Sequence, residues 1–191
     1  MASPPQQTRR IVTGHDADGK AIFESDTVLT TCNPFTDDGS APPAGSTIPG
    51  FTVIHKAEGY PAPIQGPVTE YHSKIIPLVD ESGSICRIVD FPPIPEDAVT
   101  DRAGLMHRTQ SLDFAVVLKG TIKLELDDGV EKTVKEGDVV VQRGTIHSWK
   151  VSRSLVVFSV ETDCSKESWY RELQDYVRVN TVGEGQGREN W

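Results

Sequence analysis

Apolar residues recur at every second position along most of this chain and at helical spacing in one window only. In 84–91, Ile85, Arg87 and Val89 alternate against Cys86 and Ile88, the period of a sheet strand. Further short runs rich in β-branched and aromatic residues lie at 51–56, 73–79, 112–118, 121–126, 139–142 and 155–161. Turn signals separate them, with Asp127-Asp128-Gly129 a strong one and the Pro-rich bends 59–67 and 92–100 others. Upstream, 9–13 and 20–24 flank Gly14 and Asp18-Gly19 and predict a hairpin. Residues 32–50 carry Pro34, Pro42, Pro43 and Pro49 among Asp, Gly and Ser, a composition with little to bury, and read as a long surface loop. Many short strands joined by turns predict an all-β barrel or jelly roll.

The helical window follows Ser165, a suitable N-cap. There Trp169, Leu173, Tyr176 and Val177 fall on one face, predicting a short C-terminal helix over 165–178 that packs on the barrel. Residues 1–7 are polar and Pro-rich and 180–191 are Gly-rich, so both ends are expected to be disordered or frayed. The expected division is a tail and β arm over 1–24, a barrel over 25–162, and a helix with its tail over 163–191.

Composition narrows the function classes. A chain of 191 residues is expected to be one domain, long enough to bury roughly 70% of its unfolded surface. The net charge of −9 and pI of about 5.0 argue against nucleic acid, whose binding needs clustered Lys and Arg. Cys32, Cys86 and Cys164 are odd in number and widely spaced, fitting neither a disulfide framework nor a Cys-x-x-Cys site; a reducing, cytoplasmic home is expected. The first residues hold no apolar run of signal-peptide length, and nowhere are there 18 consecutive apolar residues, so neither secretion nor a membrane partner is expected.

Candidate chemistry concentrates between His107 and Trp149. His107 and Thr109 are two apart and face one way on a strand; Asp113 has the same parity, and His147 must come from another strand. Brought together in a barrel, two imidazoles and a carboxylate suit catalysis, and they are also a facial set for a divalent ion with positions open for substrate. Thr109, Gln142, Arg143 and Trp149 are the candidate substrate contacts. Each has a plainer alternative: Gln142 satisfying backbone groups, Arg143 in a salt bridge at the rim, Trp149 in the core. Arg108 alternates outward as a solvated charge, and His15, His55 and His72 read as surface or packing residues. Neither a Gly-rich phosphate loop nor a nucleophile elbow is present.

The spacing of these residues resembles the two signature motifs of the cupin superfamily of small β-barrels. Asp113 to Gly120 keeps the carboxylate-to-glycine interval of the first motif, and Gly137-Asp138, Gly144 and His147 reproduce the second, with sixteen residues between Gly120 and Gly137. Thr109 stands where a second His is usual, Asp113 where Glu is usual, Gln142 where Pro is usual, and Val151 where Asn is frequent. The opening Arg9-Arg10-Ile11-Val12-Thr13-Gly14-His15-Asp16 is similar to the start of stand-alone microbial cupins linked to secondary metabolism. The resemblance implies a cupin barrel with an enclosed site at His107, Asp113 and His147, either metal-free or holding Fe, Zn, Mn or Ni. It implies a small-molecule substrate, first as a metal-assisted lyase (decarboxylase or dehydratase) on an oxo or hydroxy acid or a polyketide-like intermediate. A metal-free isomerase or cyclase, a ligand-binding cupin and an iron-dependent dioxygenase are the alternatives. It also implies a homodimer in which the N-terminal arm joins a neighbouring subunit.

Overall fold

A computed structural model describes residues 7–59, 61–71, 83–92, 106–150 and 155–163. The strand expected at 73–79, most of the bend 92–100, the helix at 165–178, most of the first seven residues, the 180–191 tail, His72, Val151 and Cys164 lie outside them. Every regular element among the described residues is a strand. β1 (Thr8–His15) and β2 (Ala21–Leu29) form a two-stranded arm. A five-stranded sheet has the order β3-β4-β10-β5-β8, made of Gly50–Glu58, Gly83–Phe91, Leu155–Asp163, Ser111–Lys119 and Val139–Arg143. A three-stranded sheet has the order β7-β6-β9, from Glu131–Lys135, Thr121–Leu126 and His147–Lys150. All pairings are antiparallel.

The alternation in the sequence decides which face of each strand is inside. On β5, Ser111, Asp113, Ala115 and Val117 are buried while Phe114 and Leu118 on the opposite face are exposed. Ala115 and Val117 meet Ile122 and Val134 of the smaller sheet, and Phe91, Leu124, Val140 and Trp149 pack around them. This apolar cluster joins the two sheets into a sandwich, as burying one face of each sheet demands. Gly120 makes the corner from β5 to β6 at φ +97°, a conformation costly for any residue with a Cβ.

Some strands exceed or escape the sequence pattern. β2 runs on to Leu29, beyond the expected 20–24, and β7 and β9 lie outside the expected strands. Of β7 only Val134 is buried, so its pattern contains a single apolar inward position and no visible period. The arm is tied to its own chain: Arg10 is buried, donates to the Ile54 carbonyl at 3.4 Å, and pairs with Glu70. The 32–50 loop is also fastened, since Cys32 and Phe51 exchange backbone hydrogen bonds of 2.8 Å in both directions.

Candidate active site

The site is assembled by three backbone devices. First, His107 and His147 form an isolated antiparallel bridge, with N–H to O distances of 3.0 and 2.9 Å. Their rings lie 4.4 Å apart, tilted by 54°. Second, Asp113 on β5 is the register partner of Gln142 on β8, so both side chains emerge on the same inward face. Third, the Gly144 N–H donates to the Ser111 carbonyl at 3.0 Å, which pins the β8–β9 turn beside the segment carrying Thr109. Gly144 adopts φ +59° in doing so.

His147 is 2% exposed. Its Nδ1 lies 3.0 Å from the Thr145 carbonyl, and because a carbonyl only accepts, Nδ1 carries the hydrogen and Nε2 keeps its lone pair. Burial pushes its pKa down to about 4; the Thr145 contact acts the other way, and His107 adds to the lowering. The imidazole is therefore neutral at physiological pH. Trp149 presents itself to this ring in an edge arrangement at 6.1 Å while its other side joins the apolar core.

Asp113 is 8% exposed and Gln142 6%. The Gln142 Nε2 donates to Asp113 Oδ2 at 2.9 Å, and the Thr109 hydroxyl donates to the same oxygen at 3.4 Å. The other carboxyl oxygen, Oδ1, has no hydrogen-bond partner among the described residues. Burial raises the carboxyl pKa above the ordinary range; Ser111, Thr109 and Gln142 oppose the rise, as does the charge of Arg87, without cancelling it. Ser111 Oγ stands close enough to favour the ionised form but lacks the geometry of a hydrogen bond.

The expected residues thus fall into two groups. His107 and His147 come together, while Asp113 is turned to Gln142 and Thr109. Among the described residues, no three His, Cys, Asp or Glu side chains are placed as one metal-holding set. As placed, the three expected ligands do not form a single coordination sphere. Arg143 is exposed and pairs in register with Leu112 on the outward face, away from Gln142. Arg108, expected outside as a solvated charge, is half-buried, whereas His15 and His55 are exposed as expected.

Three buried polar residues escaped the sequence reading of the site: Ser111, Ser148 and Arg87. Arg87 is 1% exposed, with its guanidinium carbon 5.2 Å from the centroid of the Phe51 ring. A signal for it existed, since Arg87 is in phase with Ile85 and Val89, so a cation was written into the inward face of β4. Ser111 shares parity with Asp113, but a serine in a strand carries no distinguishing mark.

No protein-family model matches the chain. A cupin-domain-containing oxidoreductase of Hypocrea virens is 33% identical over 146 residues, covering 75% of this chain and 67% of that protein. Phomopsin biosynthesis cluster protein D of Diaporthe leptostromiformis is 36% identical over 157 residues, covering 78% of this chain and 73% of that protein. Oryzines biosynthesis cluster protein J of Aspergillus oryzae is 30% identical over 159 residues, covering 78% and 80%. Among solved structures, an RmlC-like cupin from Shewanella frigidimarina aligns with a TM-score of 0.35 at 16% identity, covering 44% of this chain and 74% of that one. With a named cupin-domain relative at 33% identity, matched over two thirds of its length, the chain belongs to the cupin superfamily.

Proposed function

We propose that this cupin is an enzyme of secondary metabolism that moves protons on a small organic molecule, as a dehydratase-type lyase or an isomerase acting on a hydroxylated carbonyl compound. The observation that carries the reading is the state of Asp113: a buried carboxyl with one oxygen held by Gln142 and Thr109 and the other without a partner among the described residues. A group of this kind can hold or release a proton at Oδ1 while Oδ2 stays fixed. His147 complements it with a buried lone pair at Nε2, its tautomer set by the Thr145 carbonyl. Burial moves the Asp113 carboxyl up, toward holding a proton, and the His147 imidazole down, toward a free lone pair, which supports one acting as acid and the other as base. In a dehydration, one group takes the proton from the carbon beside the carbonyl, the electron pair forms the carbon–carbon double bond, and the other group protonates the departing hydroxyl, releasing water.

The setting in secondary metabolism rests on relatives named for the phomopsin and oryzines biosynthesis clusters. A second reading, oxidation or reduction of the same class of molecule, is favoured by the name of the Hypocrea virens relative. There the paired imidazoles of His107 and His147 would be two of the ligands of a redox metal. Disrupting the gene in its producing organism and weighing the accumulated intermediate against the normal product separates the readings. The acid–base account expects a difference of one water, or none for an isomer. A difference of two hydrogens or one oxygen would replace it with the redox reading, and elemental analysis of protein purified without chelator would then be expected to show stoichiometric metal.

A further inference from the structure

Three buried side-chain atoms on one inward patch have no hydrogen-bond partner among the described residues: Ser111 Oγ, Asp113 Oδ1 and Gln142 Oε1. Their residues are adjacent by construction, since Ser111 precedes Asp113 by two on β5 and Gln142 faces Asp113 across the β5–β8 ladder. Each is more than nine-tenths buried. Polar groups so removed from water are costly to leave unsatisfied, and a cluster of them implies a partner that arrives with complementary groups. The chemistry of that partner can be read from the atoms. With Asp113 ionised both its oxygens only accept; the Gln142 NH2 donates to Oδ2, which leaves the amide oxygen as the outstanding group. Asp113 Oδ1 and Gln142 Oε1 therefore both call for donors, and the Ser111 hydroxyl can serve as either. A hydroxyl can donate to one of these oxygens and also accept from the Ser111 hydroxyl, whereas an ammonium group only donates.

We infer that Ser111, Asp113 and Gln142 form a recognition site for a substrate carrying two neutral hydroxyl groups. This rests on the reading of the interior as a small-molecule site and adds the substrate class and two residues, Ser111 and Gln142, that select it. A hydroxyl entering the patch satisfies Oδ1 or Oε1, whereas its methyl ether leaves the acceptor buried and unpaired. Sites built this way discriminate strongly against analogues lacking the hydroxyl.

The test is calorimetric titration of the full-length protein with catechol and with resorcinol, each compared with its own dimethyl ether. At least one diol should bind about tenfold or more tightly than its ether. Ser111→Ala and Gln142→Met should each remove most of that discrimination, and Ser111→Ala should leave Tm unchanged or raise it, because it deletes a buried hydroxyl with no hydrogen-bond partner among the described residues. A hydroxyl with a merely structural role would do the reverse, lowering Tm in Ser111→Ala with the diol affinity intact. Equal binding of diols and ethers, or no diol binding at millimolar concentration, would overturn the inference and leave the patch to ordered water alone. Should a variant fail to fold, the wild-type comparison of diol with ether decides by itself. Turnover is not read here, so failure of this test leaves the acid–base reading standing, and failure of that reading leaves diol binding standing.

Discussion

Replacing His147 with glutamine isolates the charge state of the buried imidazole. The ring is 2% exposed and its pKa is pushed down to about 4, chiefly by burial, whereas a histidine in an unfolded chain titrates near ~6.5. The folded state binds this proton less readily than the unfolded state does. Stability from His147 is therefore present in full above ~6.5 and is lost as pH falls toward 4. At ~1.4 kcal/mol per pH unit, the gap corresponds to about 3 kcal/mol once pH lies below both values. Asp113 acts in the opposite direction: its raised carboxyl favours the folded state at acid pH, and that contribution is lost as pH rises through the raised value. The wild-type curve is a sum of both, but subtracting the His147→Gln curve leaves the histidine part. Urea unfolding followed by circular dichroism, at about pH 7.5 and about pH 4.5, measures it. The stability difference between wild type and variant should move against the wild type by about 2–3 kcal/mol over that interval. Parallel curves would show that His147 is not held neutral by burial, and would remove it from the proposed chemistry.

Other consequences follow from the fold. Val117→Ala, at the centre of the cluster with Ala115, Ile122 and Val134, should cost about 2 kcal/mol in urea unfolding, from lost burial and the cavity left behind. Gly120→Ala places a Cβ at φ +97° on the β5–β6 corner and should cost about 1–3 kcal/mol by the same assay, with the strand content unchanged. The expected homodimer is tested at the arm, where Phe23 is 79% exposed. Light scattering should find dimers of the wild type and monomers of Phe23→Glu, since an apolar side chain this exposed on a β arm is a natural pairing surface; monomers of the wild type would refute it.

The inward face of β4 is legible because burial imposes a period of two, which Ile85 and Val89 mark; on β5 the more apolar parity, Leu112, Phe114, Val116 and Leu118, lies on the other face, so hydrophobicity alone points the wrong way there. The parity argument points Asp113 inward with His107 and Thr109 and requires His147 to come from another strand; its pairing with His107 is seen only in the structure. What parity could not supply was partner choice. Gln142 at a strand end could have served the backbone; only the β5–β8 register makes it the neighbour of Asp113. Register depends on the turn at 144–147 and on long-range pairing, neither of which leaves a local mark in the sequence. The same holds for β7, whose Thr133 and Lys135 flank a lone buried Val134. Arg108 departs from expectation because the residues around it pair through an isolated bridge at His107 rather than a regular strand, so strict alternation does not apply.

The central claim is that Asp113 and His147 move protons on the substrate. It is tested most directly by incubating the purified protein in D2O with the intermediate that accumulates when the gene is disrupted. The account predicts that no oxidant is consumed and that an isomer forms with solvent deuterium at its new C–H bond, whereas a dehydration, which makes no new C–H bond, releases the hydrogen beside the carbonyl to solvent and shows deuterium uptake only in recovered substrate. It also predicts that Asp113→Asn, which keeps the shape of the side chain but cannot ionise, abolishes both uptake and product. Product that forms without deuterium uptake and only with consumption of dioxygen or another oxidant would contradict it.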